Sequence, residues 1–84
     1  MRDQVRTRQT TVFDVMAQAA FALGVADARA GKPFRPDYET WKGGKQWSYE
    51  RGRQWAQLAP RTVVLKRGGR ITSEAVRWFL DGVL

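Results

Sequence analysis

The stretch of sequence that decides the fold is residues 45–60, which read KQWSYERGRQWAQLAP. The pattern predicts an α-helix over 45–59 that stops before Pro60, because the residue that precedes a proline disfavours the helical conformation. One side of this helix carries Tyr49 and then three small residues, Gly52, Ala56 and Ala59. A face of small side chains allows a second helix to approach closely.

A partner for that face is predicted over residues 11–30. Apolar and small residues recur there at three- and four-residue spacing, as they do on one face of a helix: Phe13, Met16, Ala17, Ala20, Phe21, Gly24 and Ala28. Thr10 or Thr11 is the expected N-cap, and Gly31 followed by Pro33 ends the helix. Since the side chains in the middle of this stripe are also small, we expect the two helices to pack tightly as an antiparallel hairpin.

The connection between these helices, residues 31–45, contains two prolines and three glycines. A loop of this length in a small domain needs something to hold it down. Phe34, Tyr38 and Trp41 are the expected anchors, and a binding role for these aromatic rings is the alternative.

The rest of the chain predicts a β-ribbon and a third helix. Residues 62–65 and 70–72 are short strand-like runs on either side of Gly68-Gly69, which is a turn signal. Thr72 or Ser73 is expected to cap the third helix, whose apolar face is Ala75, Val76, Phe79, Leu80 and Val83.

The predicted fold class is therefore mainly α, with three helices and a short two-stranded β-ribbon before the third. Eighty-four residues are enough for one core only. We expect a flexible basic arm over residues 1–9 and a single small helical domain over residues 10–84.

The composition argues against catalysis. The chain has no Cys and no His, so it lacks thiolate nucleophiles, disulfides and imidazole bases, and its eight carboxylates are scattered. We therefore expect no enzymatic activity, no cofactor, no metal site and no small-molecule substrate. No apolar stretch is long enough to cross a bilayer, and the N-terminus does not resemble a signal peptide, so the expected location is cytoplasmic.

The net charge is +7, which favours an anionic partner, and the alternative is that it only keeps the protein soluble. The basic residues concentrate in the connections, where no acid follows Arg61 until Glu74. The candidate phosphate-binding residues are Arg61, Lys66, Arg67 and Arg70, helped by Lys42 and Lys45.

Aromatic residues form a second set of candidates, for a protein interface. Trp47, Arg51 and Trp55 fall at i, i+4 and i+8, so the guanidinium can stack on both indoles if the ladder is exposed. The alternative is that both indoles lie in the core. Trp41 is a further candidate, and Trp78 falls outside the apolar face of the third helix, where it is either an edge-packing residue or an interface anchor.

Asp27 falls at the edge of the apolar stripe of the first helix, where an unpaired carboxylate is costly. Arg51 or Arg53 is the expected partner. We interpret this pair as a clasp between the helices and not as a site.

Four segments together resemble the ribosome modulation factor group: AFALG at 20–24, ARAGKP at 28–33, PDY at 36–38 and WSYERGRQWA at 47–56. The members of that group are short, very basic helical hairpins. The resemblance covers about residues 17–57, and residues 61–84 lie outside it. Within the covered range, Gly52 and Trp55 are farther from Trp47 in the sequence than the corresponding residues of the group are. The resemblance implies a small bacterial protein that binds ribosomal RNA or a ribosomal protein. Looser relatives of this shape also occur among small phage-encoded proteins.

The sequence thus predicts a non-catalytic binding protein that docks on RNA or a ribonucleoprotein through phosphate contacts. The alternative is a phage-encoded inhibitor that binds an acidic protein surface of a host complex, such as a CRISPR, defence or transcription assembly. A homodimer built on Trp78 and Leu84 would have the same sequence features.

Overall fold

The computed structural model describes residues 12–83, and the predicted basic arm, residues 1–9, and the predicted caps Thr10 and Thr11 lie outside them. Four α-helices lie in the described part: α1 (Val12–Met16), α2 (Ala19–Arg29), α3 (Gly43–Leu58) and α4 (Ser73–Gly82). A 3₁₀ turn spans Tyr38–Thr40, and the strands β1 (Lys66–Arg67) and β2 (Arg70–Ile71) form a two-stranded antiparallel sheet. The prediction of a mainly helical fold with a small antiparallel ribbon is confirmed.

The predicted first helix is broken, so the three-helix layout is wrong. Gln18 has an extended backbone, with φ −70° and ψ 143°, and separates α1 from α2. Its side-chain carbonyl accepts a hydrogen bond from the buried Ser48 hydroxyl, while its backbone carbonyl accepts from the Phe21 N–H at 3.0 Å. The break allows Val15 and Met16 to join the same core as α2, so tertiary packing overrides the local helical pattern.

Two glycines set the distance between α2 and α3. A Cβ on Gly24 would overlap the Tyr49 carbonyl oxygen and lie 3.0 Å from the Arg53 nitrogen. A Cβ on Gly52 would overlap the Phe21 carbonyl oxygen. The predicted close approach of two small faces is confirmed, because each glycine contacts the backbone of the other helix.

The relative direction of α2 and α3 differs from the prediction. Just before α2, Gln18 is bonded to Ser48, which lies in the first half of α3. Beyond their ends, the Arg29 guanidinium donates to the Pro60 carbonyl at 3.0 Å, and Arg61 donates to the Arg29 carbonyl at 2.7 Å. Contacts thus advance along both helices together, and the predicted antiparallel arrangement is wrong.

The connection between α2 and α3 explains how the helices can run in broadly the same direction. It travels back along α3: Arg53 donates to the Lys32 carbonyl at 2.8 Å, and nearer the start of α3 Gln46 donates to the Tyr38 carbonyl at 2.9 Å. A 16-residue helix is about 24 Å long, a span that residues 30–42 can cover in extended form.

Aromatic rings hold the connection in place, as predicted. The ring centroids of Phe34, Tyr38 and Trp41 lie 5.5, 5.9 and 5.2 Å from that of Tyr49. Edge-to-face and tilted pairs at these distances are favourable beyond the area that they bury. Their role as anchors is therefore confirmed.

The core is centred on Trp55, Phe21 and Phe79, which are fully buried. The indole N–H of Trp55 donates to the Ala75 carbonyl at 2.8 Å, which ties α3 to α4. Thr72 caps α4 as predicted, because its hydroxyl accepts from the Ala75 N–H at 3.1 Å. Leu80 was predicted to be in the apolar face but is 59% exposed, since the buried stripe follows Ala75, Phe79 and Val83.

Candidate nucleic-acid interface

The strongest candidate is the basic hairpin, which comprises Lys66, Arg67, Gly68, Gly69 and Arg70. The two glycines have φ of 62° and 79°, the positive values that a two-residue hairpin turn requires at both central positions. This turn places Arg67 directly opposite Arg70 and Lys66 opposite Ile71.

The base of the hairpin is fixed to the rest of the domain. The Thr72 N–H donates to the Leu65 carbonyl at 3.0 Å, and the Thr72 hydroxyl donates to the Val64 carbonyl at 2.9 Å. Leu65 and Ile71 are half-buried against the core, and Val63 is inside it. A short ribbon is marginal alone, and these contacts make its tip a fixed support for charge.

The three cations of the hairpin are exposed and make no ion pair with any residue in 12–83. Like charges directly opposite each other in a ribbon destabilise it by a few tenths of a kcal/mol. Arg67 and Arg70 face each other in this way, and an anion bound between them would remove the repulsion.

A groove of about 460 Å³ lies between α1 and this hairpin. Its α1 side is formed by Phe13, Asp14 and Ala17, and its hairpin side includes Lys66, Arg70 and Ile71. Phe13 is 54% exposed, although it was predicted to be on the buried stripe of the first helix. The structure therefore brings an aromatic ring together with two of the predicted cations.

The remaining predicted cations lie elsewhere. Lys42 and Lys45 are at the start of α3, where the Lys45 ammonium lies 4.1 Å from the Trp41 ring centroid. Arg61 follows the other end of α3 and donates to the Arg29 carbonyl. The length of α3 thus separates Arg61 from the two lysines, and the six candidate residues do not form one patch.

The Trp47–Arg51–Trp55 ladder is only partly present. The Arg51 guanidinium lies 5.4 Å from the Trp47 ring centroid, and Trp47 is 38% exposed. Trp55 is buried, and the cation over its ring is Arg29, at 4.9 Å. The hypothesis of an exposed ladder with both indoles on one guanidinium is therefore wrong. The interpretation that both indoles lie in the core is correct for Trp55 and wrong for Trp47.

Of the other interface candidates, Trp78 is half-buried and packs against the core, so its edge-packing interpretation is confirmed. Trp41 is half-buried, and its indole N–H donates to the Asp37 carboxylate at 3.1 Å. Leu84, the second residue of the homodimer hypothesis, lies outside the described residues.

The buried carboxylate of Asp27 has a different partner from those predicted. Arg35 donates to its two oxygens, through Nε at 2.8 Å and Nη2 at 3.0 Å, and the Tyr49 hydroxyl donates at 2.6 Å. Arg53 reaches only the Tyr49 hydroxyl, at 3.3 Å, so the predicted pairing with Arg51 or Arg53 is wrong. Asp27 ties α2 to the connection and, through Tyr49, to α3.

The titration behaviour of Asp27 follows from these contacts. The hydrogen bonds from Arg35 outweigh the opposing effect of burial and lower its pKa from 3.8 to about 2. Burial, together with the hydrogen bond to Asp27, raises the pKa of Tyr49. The carboxylate therefore stays charged at neutral pH and is fully engaged inside the protein.

Within residues 12–83 no group of three or more acidic side chains is placed to hold a metal ion, and no helix is long and apolar enough to cross a bilayer. Comparisons with protein-family models, with curated proteins and with solved structures found no match.

Proposed function

We propose that this protein is a non-catalytic binding protein that docks on RNA or a ribonucleoprotein through the basic hairpin. The observation that carries the proposal is the cluster of Lys66, Arg67 and Arg70, which forms no ion pair within residues 12–83, on a turn fixed to the core at its base. Such a turn can contact phosphates without reading the sequence of bases. The resemblance to the ribosome modulation factor group points to the same class of partner.

The test is direct binding of a labelled RNA, measured by fluorescence anisotropy as the salt concentration rises. Each phosphate engaged is expected to contribute a slope of about −0.7 to −0.9 in a plot of log affinity against log salt. Reversal of charge in a Lys66→Glu/Arg67→Glu variant should abolish the complex. Salt-insensitive binding would contradict the proposal.

A matched control comes from α4. Arg77 is exposed there, outside the basic hairpin, and Arg77→Glu changes the net charge by as much as Arg67→Glu does. We expect Arg67→Glu to weaken RNA binding strongly and Arg77→Glu to weaken it only slightly. Equal losses would indicate that net charge, and not the hairpin, determines binding.

A second candidate function is inhibition of a host protein complex through an aromatic contact. The exposed Trp47, stacked by Arg51, supports it, because tryptophan and arginine dominate protein–protein hot spots. A tagged pull-down from a bacterial lysate, with and without nuclease and at two salt concentrations, separates the two candidates. RNA or ribosomal particles lost on nuclease treatment favour the first, and a discrete protein that survives nuclease and salt, and that Trp47→Ala releases, favours the second.

A further inference from the structure

The groove between α1 and the hairpin combines three features that a nucleotide recognises. It has an exposed aromatic ring, Phe13, further apolar lining from Ala17 and Ile71, and cations at Lys66 and Arg70. We propose that the groove holds one nucleotide of a single-stranded RNA, with the base against the Phe13 ring and the adjacent phosphates on Lys66 and Arg70. This inference rests on the proposed function and names the form of RNA that the hairpin binds.

The exposed ring is the reason to place a base in the groove. Phe13 is 54% exposed although Val15 and Met16, in the same short helix, are buried in the core. A ring that is more than half exposed offers apolar surface for stacking, and every base has a matching face. The volume of the groove, about 460 Å³, lies in the usual range of about 300–1,000 Å³ for small-molecule sites.

The preference for single-stranded over double-stranded RNA follows from the position of the bases inside a duplex. In an RNA helix the bases are stacked on one another and the side chains reach mainly phosphates and 2′-hydroxyls, whereas unpaired bases can turn outward onto aromatic rings. A duplex could therefore contact Lys66, Arg67 and Arg70, but it could not use Phe13. The Phe13 ring thus provides a preference for single strands that the hairpin alone lacks.

Asp14 provides a test of where the phosphate lies. Asp14 lines the α1 side of the same groove, so its negative charge disfavours an anion placed between Lys66 and Arg70. Asp14→Asn is expected to strengthen RNA binding by a few-fold at low salt and to lose this advantage as salt rises. An uncharged ligand in the groove would not respond in this way.

The experiment compares a fluorescein-labelled single-stranded RNA with a duplex of the same sequence, by anisotropy over a salt series. Phe13→Ala is expected to lower single-strand affinity by about 5- to 150-fold and to leave duplex affinity and the salt slope unchanged. Lys66→Gln/Arg70→Gln should weaken both complexes and reduce the single-strand slope by about 1.4. Leu80→Ala, which removes an equally exposed apolar side chain from α4, is the control and should change neither.

The outcomes separate the inference from the function on which it rests. If the hairpin variant weakens binding but Phe13→Ala behaves like Leu80→Ala, the nucleotide groove is refuted and the hairpin interface stands. If neither RNA binds wild-type protein at low salt, both are refuted. Thermal unfolding of each variant verifies the fold, and Phe13→Leu, which keeps an apolar side chain without a ring, should lose most of the affinity that Phe13→Ala loses.

Discussion

Replacement of Gly24 by alanine tests the contact between α2 and α3. Helix propensity alone predicts that Gly→Ala within a helix stabilises it by about 1 kcal/mol. The structure predicts the opposite, because the new methyl group would overlap the Tyr49 carbonyl oxygen and lie 3.0 Å from the Arg53 nitrogen. Both atoms belong to the α3 backbone, so no side chain can rotate away to make room.

The expected size of the effect comes from the cost of overpacking, which is typically about 1–3 kcal/mol and more where backbone must move. Because this overlap is with backbone, we take its cost as about 3–4 kcal/mol, and the propensity gain of about 1 kcal/mol leaves a loss of about 2–3 kcal/mol in the free energy of unfolding. In a domain of this size each kcal/mol shifts Tm by about 4–8 °C, so the variant should melt at least about 8 °C below the wild type.

Circular dichroism during thermal and urea unfolding measures both quantities. Gly44→Ala is the matched control, because Gly44 lies in the first turn of α3 and a Cβ there would meet nothing within 4 Å. It should be neutral or stabilising. If Gly24→Ala proved as stable as Gly44→Ala, the close approach of α2 and α3 would be refuted.

Two further predictions concern the charge inside the fold and the turn of the hairpin. The pKa of Asp27 is lowered from 3.8 to about 2. The pairing with Arg35 therefore stabilises the protein by about 2 kcal/mol above about pH 4, and this contribution is lost as the pH falls to about 2. Asp27→Asn should therefore be less stable at neutral pH and lose less stability over that range, as followed by urea unfolding at each pH; a loss equal to that of the wild type would contradict the pairing. Gly69→Ala, at φ 79°, should cost about 1–2 kcal/mol, measured in the same assay, whereas Gly43→Ala should not.

Where a boundary has a local cause, the sequence predicted it. Pro60 cannot continue a helix and α3 ends at Leu58, while Thr72 caps α4 through its own hydroxyl. Gly68 and Gly69 form the turn because few other residues adopt two successive positive φ values. In each case a few neighbouring residues determine the outcome.

Features that depend on distant contacts were not predictable in the same way. The break at Gln18 contains neither glycine nor proline, and its extended backbone is accompanied by a hydrogen bond to Ser48, thirty residues away. The direction of α2 relative to α3 depends on the path of a connection long enough to allow either. Asp27 had several arginines within reach in the sequence, and only the folded connection selects Arg35.

The sequence predicted the cations of the candidate site but not the aromatic ring that lies beside them. Lys66, Arg67 and Arg70 stand out in the sequence because no acid lies among them. Phe13 could not be recognised, since its spacing matched the buried stripe of a continuous helix. The structure places that ring beside the hairpin, in a short helix that the break at Gln18 separates from α2.

Several arginines of the described region are already engaged within the fold, and this limits the number of phosphates that the protein can bind. Arg29, Arg35, Arg53 and Arg61 donate to carbonyl or carboxylate oxygens of the protein itself, whereas the three cations of the basic hairpin do not. At physiological salt, charges more than about 8 Å from a phosphate are largely screened, so the remainder of the +7 contributes little. Three hairpin cations then give a single-strand salt slope of about −2, whereas seven engaged charges would give about −5. A slope near −5 would mean that cations outside the hairpin also contact RNA, including arginines that would have to leave their present partners within the fold.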